Sequence, residues 1–154
     1  MNPFTFLPPG SNSLREPSRE IEAARITTPE FQAFLDRLIV TMHAADGVGV
    51  AAPQIGENIQ AIVVNLPSGP ECFINPEITH ASPTLLESEE GCLSVPGVYG
   101  IVMRHKKVRV KALNRHGRRV ELEVKQFSSF VFQHEIDHLK GILFIDKTVR
   151  ITKQ

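Results

Sequence analysis

Gln133-His134-Glu135-Ile136-Asp137-His138 is the stretch on which the reading of this chain turns. Histidines four apart on a helix point their rings the same way and can grip one metal ion. The glutamate after the first histidine then stands beside the metal's open position, where it can act as general base toward water. Phe127, Phe130, Val131, His134 and His138 fall at i, i+3, i+4, i+7 and i+11. A helix is therefore predicted from about Phe127 to Leu139, with Gly141 as its C-terminal stop. The metal lies at the end of that apolar stripe. Phe130 and Val131, one turn from His134, are placed to line an apolar pocket beside it, while Phe127 reads equally well as plain core.

A catalytic centre of this kind takes three protein ligands and keeps a position for water. Downstream of His138 the chain holds no His, Cys or Glu and only Asp146, so the third ligand is sought upstream. Cys92 is the best candidate. It stands in Glu89-Glu90-Gly91-Cys92-Leu93-Ser94-Val95-Pro96-Gly97, flanked by glycine and proline as a sharply bent loop would be. One thiolate with two imidazoles suits zinc or ferrous iron. Alone, Cys92 would read as a small buried residue; the histidine pair turns the balance toward ligation. Cys72, in an apolar strand, reads as core. A closed structural site built from Cys72, Cys92, His134 and His138 stays open as a rival, although it would leave Glu135 without a task. His43, His80, His105 and His116 read as surface or turn residues.

The rest of the chain frames that site. At 154 residues it reads as a single domain, residues 1–154, large enough to bury a core without disulfides. A hydrophobic share of 42% with 22% charged residues is that of an ordinary globular protein. The formal net charge of zero argues against a general nucleic-acid or membrane-surface binder. Two cysteines make no disulfide framework, which fits a reducing compartment and a cytoplasmic location. No run reaches the roughly 18 apolar residues of a membrane span. The proline-broken segment Met1 to Gly10 lacks the basic start of a signal peptide.

Residues 1 to about 20 are rich in Pro and Ser and are expected to form an extended arm. Thr27 or Thr28, then Pro29 and Glu30, mark a helix start. Phe31, Phe34, Leu35, Leu38, Ile39 and Met42 recur at helical spacing, and Gly47 and Gly49 are expected to end that helix. Ala61 to Asn65 reads as a strand, as does Cys72-Phe73-Ile74 until Asn75-Pro76 breaks it. Lys107 to Ala112 and Val120 to Val124 flank the turn Asn114-Arg115-His116-Gly117, a hairpin with basic residues on one strand and acids on the other. Two helices and several short strands that do not alternate give an α+β fold, with short antiparallel strands packed around a central helix that carries the histidines.

Assembled in this way, the chain resembles the peptide deformylases, metal hydrolases that remove formyl from the N-terminal methionine of new bacterial-type polypeptides. Gly47-Val48-Gly49-Val50-Ala51-Ala52-Pro53-Gln54 looks like that family's GxGxAAxQ motif, Glu90-Gly91-Cys92-Leu93-Ser94 like EGCLS, and Gln133 to His138 like QHExDH. The resemblance runs from about Leu14 to Asp146. It implies that Cys92, His134 and His138 bind one divalent metal, ferrous iron by family habit with zinc chemically reasonable. Glu135 would take a proton from water and pass it to the leaving amine. The Gln54 amide and the Leu93 N–H would stabilise the oxyanion. Val48, Gly49 and Gly91 would meet an extended N-formylmethionyl peptide, and Phe130 and Val131 its methionine side chain. Asp137, which faces elsewhere on the helix, is expected to orient a neighbour through Arg104. Many bacterial members continue into a C-terminal helix that helps them dock on the ribosome. This sequence reaches Gln154 without one, so ribosome docking is left open, and a phage, organellar or atypical bacterial origin suits the short form. Two rivals remain: an HExxH endopeptidase, which lacks its downstream ligand here, and a structural metal module using both cysteines.

Overall fold

The computed structural model describes residues 1–154. Three helices, α1 (Ala23–Ile26), α2 (Pro29–Ala44) and α3 (Phe127–Leu139), accompany eight strands. The strands are β1 (Gly49–Ala51), β2 (Ala61–Leu66), β3 (Gly69–Ala81), β4 (Leu85–Cys92), β5 (Val95–His105), β6 (Lys107–Leu113), β7 (Arg119–Lys125) and β8 (Thr148–Lys153). They form two antiparallel sheets, one ordered β1-β2-β3-β6-β7 and the other β4-β5-β8. The α+β class expected from the sequence is what the chain adopts. No helix is long and apolar enough to cross a membrane.

The run Ala61-Ile62-Val63-Val64 is apolar without alternation because β2 is covered on both faces. Ala61, Val63, Cys72 and Ile74 pack with Phe31, Leu35, Leu38 and Met42 of α2. Ile62, Val64 and Phe73 pack with Val131, Phe132, Ile136 and Leu139 of α3, joined by Val108, Val110 and Val124. The period-two pleat thus sends alternate side chains of one strand into two different cores. Thr28 caps α2, its hydroxyl accepting from the Phe31 N–H at 3.3 Å, with Pro29 in the first turn. The β6–β7 hairpin sets Arg109 opposite Glu123 and Lys111 opposite Glu121. Its turn is fixed by Asn114 Oδ1, which accepts from the N–H groups of His116 and Arg118.

Several local expectations differ from the structure. Asn75-Pro76 does not end a strand: β3 continues to Ala81 through a register shift between Ile74 and Glu77. Asn75 takes φ 52° there, and its amide both accepts from the Ile21 N–H and donates to the Ile21 carbonyl. Those two bonds fix the bulge. Helix α2 stops at Ala44 before either glycine, with the left-handed position filled by Asp46 at φ 52° and the Gly47 N–H closing onto the Met42 carbonyl. The strands are not all short, since β3 has 13 residues and β5 has 11. Strands β4, β5 and β8 were not expected from the sequence, and the expected bent loop around Cys92 is the tight turn of the β4–β5 hairpin. Within the N-terminal twenty residues, Asn12–Arg15 forms a 3-10 turn and Arg19 makes a parallel bridge to Ile59.

Helix α3 is tied to β5 by one side chain. The Gln133 amide accepts from the His105 N–H at 3.0 Å and donates to the His105 carbonyl at 2.9 Å. Its nitrogen also reaches the Ser129 carbonyl and hydroxyl. A buried glutamine with its capacity met in this way acts as an extra rung of sheet, fixing helix height against the strand.

Cys72 provides a test of the core on the α2 side. Burial pushes its thiol up to about 11 from an ordinary 9.0, the nearby Arg115 charge only partly opposing it. Because the folded value lies above the unfolded one, the folded chain holds this proton more tightly. The resulting stability is whole below pH 9 and is lost as pH rises toward 11. Two units correspond to about 3 kcal/mol. Denaturant midpoints measured from pH 8 to pH 11 should fall more steeply for the wild type than for Cys72→Ala, and parallel curves would show that the thiol is not buried.

Candidate metal centre

Cys92 ends β4, while His134 and His138 lie one turn apart on α3. Their ligating atoms lie within 4.8 Å of one another, with Cys92 Sγ 3.4 Å from His138 Nε2 and the two imidazole centroids 5.1 Å apart. Strand and helix meet here because the Cys92 turn is held by the β4–β5 ladder and α3 is held by Gln133 against the far end of β5. Cys72 belongs to the core beneath α2 and has no part in the cluster. That removes the four-ligand structural site. Both cysteines are free thiols.

A chain of charges stands behind His134. Its Nδ1 lies 2.7 Å from Glu90 Oε1, which leaves Nε2 for a ligand. Glu90 receives two hydrogen bonds from the Arg104 guanidinium, at 2.9 and 2.8 Å, and Arg104 donates a third to Asp137 Oδ2 at 2.7 Å. Lys147 Nζ completes the line 3.0 Å from Asp137. Arg104 is only 2% exposed. A guanidinium so buried holds its charge because two carboxylates surround it, and they raise its pKa against the cost of burial. Burial of Glu90 works in the other direction, yet the hydrogen bonds from Arg104 and His134 overcome it and bring the carboxyl down to about 2. The orienting link from Asp137 to Arg104 is present, and it passes on through Glu90, whose part the sequence reading had not assigned.

The histidines themselves are unequal. Burial disfavours charge on His134, but hydrogen bonds to Cys92 and Glu90 and the Glu135 carboxylate outweigh it, raising the imidazole to about 10. His138 is pushed well below its usual value by burial and by the neighbouring His134 charge. Sulfur and two imidazoles thus converge with the Glu90 and Glu135 carboxylates beside them. This soft donor set fits a divalent cation of the zinc or ferrous type.

Glu135, between the two histidines in sequence, is 4% exposed. Its Oε1 is buried without a hydrogen-bond partner, and burial pushes its carboxyl up to about 7, with His134 pulling the other way. Gly49 makes room for it: a Cβ there would stand 2.7 Å from Glu135 Oε2 and 2.9 Å from its Cγ. Gln54, 4% exposed, is fixed by the Ala51 N–H on Oε1 at 3.0 Å. Its Nε2 points to Ser94 Oγ at 3.2 Å and Cys92 Sγ at 3.5 Å.

These groups open onto a cavity of about 440 Å³. Val48, Gly49, Gln54, Gly91, Cys92, Leu93, Phe130, Val131, His134 and Glu135 all line it, so the residues singled out in the sequence converge, with His138 behind them at 1% exposure. The Val48 carbonyl is already taken by the Asn65 N–H at 2.9 Å, which leaves the Val48 N–H for a ligand. Phe127 is not core: it is 61% exposed at the cavity. Phe6 and Tyr99 also line the cavity and were not read from sequence. The Tyr99 ring covers Gly91, where a Cβ would meet it at 2.5 Å, a cross-strand pairing visible only once β4 and β5 are in register. Of the histidines set aside, His105 is half-buried and its Nδ1 lies 2.7 Å from the Ser82 carbonyl.

Known proteins resemble this chain in sequence and in fold. A peptide deformylase of Halothermothrix orenii is 48% identical over 129 residues, 82% of this chain and 83% of its own length. The crystal structure of peptide deformylase from Thermotoga maritima superposes with a TM-score of 0.90 at 36% identity, covering 96% of this chain and 99% of that one. A class I type b peptide deformylase from Acinetobacter baumannii, solved with Met-Ala-Ser bound, gives 0.89 at 32% identity over 94% of this chain and 98% of that one. The family model described as polypeptide deformylase matches residues 4–154. With both the fold and the sequence shared over nearly their whole extent, the chain belongs to the polypeptide deformylase family.

Proposed function

We propose that the protein hydrolyses the N-formyl group from the formylmethionine that begins newly made polypeptides, releasing formate. The observation that carries this reading is the junction of Cys92, His134 and His138 with a buried, unpartnered Glu135 oxygen beside one apolar-walled cavity. Cys92 Sγ, His134 Nε2 and His138 Nε2 would hold one divalent metal, ferrous iron or zinc. Bound there, such an ion lowers the pKa of water from about 16 toward 7 and polarises the formyl oxygen.

The side chains supply the rest. Glu135, its carboxyl raised toward neutrality by burial, accepts the proton of the attacking water and returns it to the amine that leaves. The Gln54 Nε2, aimed past Cys92, and the Leu93 N–H in the β4–β5 turn donate to the oxygen that becomes negative. The peptide runs extended against the free Val48 N–H and past Gly49 and Gly91, adding a strand between β1 and β4. Phe130 and Val131 receive the methionine side chain. A formyl carbon bears only hydrogen, so a site this crowded admits it and turns away acetyl. The free thiol of Cys92 suits a reducing compartment.

Anaerobic purification with metal analysis, alongside hydrolysis of formyl-Met-Ala-Ser followed by formate release, tests the whole reading. Metal-loaded protein that cleaves internal peptide bonds but not this tripeptide would restore the endopeptidase alternative. Glu135→Ala should keep the metal and lose on the order of 10²–10⁴ in kcat, and a variant with near-wild-type turnover would remove Glu135 as proton carrier. Gly49→Ala places a methyl group against the Glu135 carboxylate and forces it aside. A displacement of about 1 Å costs roughly 10² in rate, whereas Gly47→Ala, whose Cβ would meet nothing closer than 3.4 Å, should stay within a few-fold. Equal kinetics for the two variants would show that Glu135 is not held against β1.

A further inference from the structure

The first seven residues carry no regular element, yet they are held at both ends. The Phe4 N–H donates to Thr41 Oγ1 at 2.8 Å. Its ring lies 5.5 Å from that of Phe34 and 4.0 Å from the Arg37 guanidinium, and Arg37 Nε donates to the Asn2 carbonyl. Three residues on, the Leu7 N–H donates to the Gln54 carbonyl at 2.9 Å, with the Leu7 side chain over Gly56. Between these anchors Phe6, half-buried, packs on the core beneath α2 and also lines the substrate cavity together with Met42 and Gln54.

We infer that this arm is a working part of the substrate site: Phe6 contacts the bound peptide and sets selectivity, while the Leu7–Gln54 bond positions Gln54. The inference rests on the deformylase reading for its substrate and on the structure alone for the positioning. Gln54 sits in a single 3-10 turn, Ala52–Ile55, whose Ala52 and Pro53 carbonyls accept from the Glu57 and Gly56 N–H groups, while its last carbonyls need partners from outside. The Leu7 N–H satisfies the one belonging to Gln54. With that oxygen fixed by Leu7 and Oε1 fixed by the Ala51 N–H, the Nε2 direction has little freedom left. Rigid support of this kind decides whether a donor meets developing charge without reorganising.

Phe6 has the second role. The cavity lining includes Ala45, Asp46 and Gly47, which lead into Val48, together with Met42 and Phe6, and Phe6 packs against the core cluster that holds Met42. Phe6 and Met42 supply apolar lining from the arm and α2, on different elements from the Phe130 and Val131 of α3. This lining offers contact to an apolar side chain in the residue after the formylated methionine. Phe6 is thereby assigned as a specificity residue and Phe4 as a positioning residue, since Phe4 acts only by anchoring the arm on α2.

The test uses the full chain with point variants. On formyl-Met-Leu-Ser and formyl-Met-Gly-Ser, the wild type should show a kcat/KM preference for leucine, and Phe6→Ala should reduce that ratio about tenfold, the scale of a lost apolar contact. Should Phe6→Ala lower Tm sharply, Phe6→Leu is read instead and should change the ratio in the same direction. Phe4→Ala should lower kcat with KM little changed and should speed amide hydrogen exchange at Gln54 to Gly56, with Phe4→Tyr restoring both. Exchange needs no turnover, so it separates this inference from the deformylase reading, which stands or falls on wild-type formate release alone. If the leucine preference survives in the Phe6 variant, or exchange at Gln54 to Gly56 is unchanged in Phe4→Ala, the arm merely covers α2 and the inference is overturned.

Discussion

Arg104 is the residue on which the geometry of the centre depends. It is a cation 2% exposed, and it persists inside the protein only because Glu90 takes two of its hydrogen bonds and Asp137 a third. Each partner belongs to a different element: Glu90 to β4, Asp137 to α3 and Arg104 itself to β5. Withdrawing any one would strand a charge in a low-dielectric interior, at a cost of about 3–5 kcal/mol. The three elements are therefore locked in one relative placement, and that placement brings Cys92 at the end of β4 to the histidines of α3. The same ion pairs reach the chemistry directly, since Glu90 holds His134 by Nδ1 and so decides which ring nitrogen faces the cavity.

This arrangement gives structural tasks to the motif residues outside the Cys92, His134 and His138 cluster. Gln133 fixes the height of α3 against β5 through the His105 backbone. Asp137 faces away from the cavity and braces Arg104. Gly49 admits the Glu135 carboxylate to the edge of β1, and Gly91 admits the Tyr99 ring. Six consecutive residues of one helix thus divide among the Cys92 cluster at His134 and His138, a cavity-facing carboxylate at Glu135, core packing by Ile136 and attachment to β4 and β5. A helix can do this because its side chains leave at about 100° intervals, so neighbours in sequence serve different sides.

How far the sequence foretold this follows from the range of each interaction. Helices α2 and α3, the β6–β7 hairpin and the pairing of His134 with His138 were legible because their signals are local: a capping threonine, a 3.6-residue apolar period, a turn asparagine and a pair of histidines one turn apart. The β4–β5–β8 sheet was not. Glu87 and Glu89 interrupt β4 with charge on its open face, and Pro96 and Gly97 early in β5 imitate a loop. Asn75-Pro76 gave a breaker signal that the fold absorbs as a bulge, because the Asn75 amide satisfies the Ile21 backbone from 54 positions away. No local pattern announces such a bond. Phe6 and Tyr99 escaped for the same reason: they enter the cavity only after distant strands and the arm have come together.

The two cysteines show how one residue type acquires opposite properties from such placement. Cys72 points into the core below α2, where burial raises its thiol to about 11 and keeps it protonated. Cys92 stands at a turn, half-buried, with an imidazole nitrogen 3.4 Å from its sulfur and a glutamine amide at 3.5 Å. Cys92 Sγ thus stands within reach of the His134 and His138 imidazoles, whereas Cys72 lies in the core with no imidazole beside it. The difference between the two follows from the β4–β5 register, which turns one sulfur toward α3, and from the pleat of β3, which turns the other toward α2.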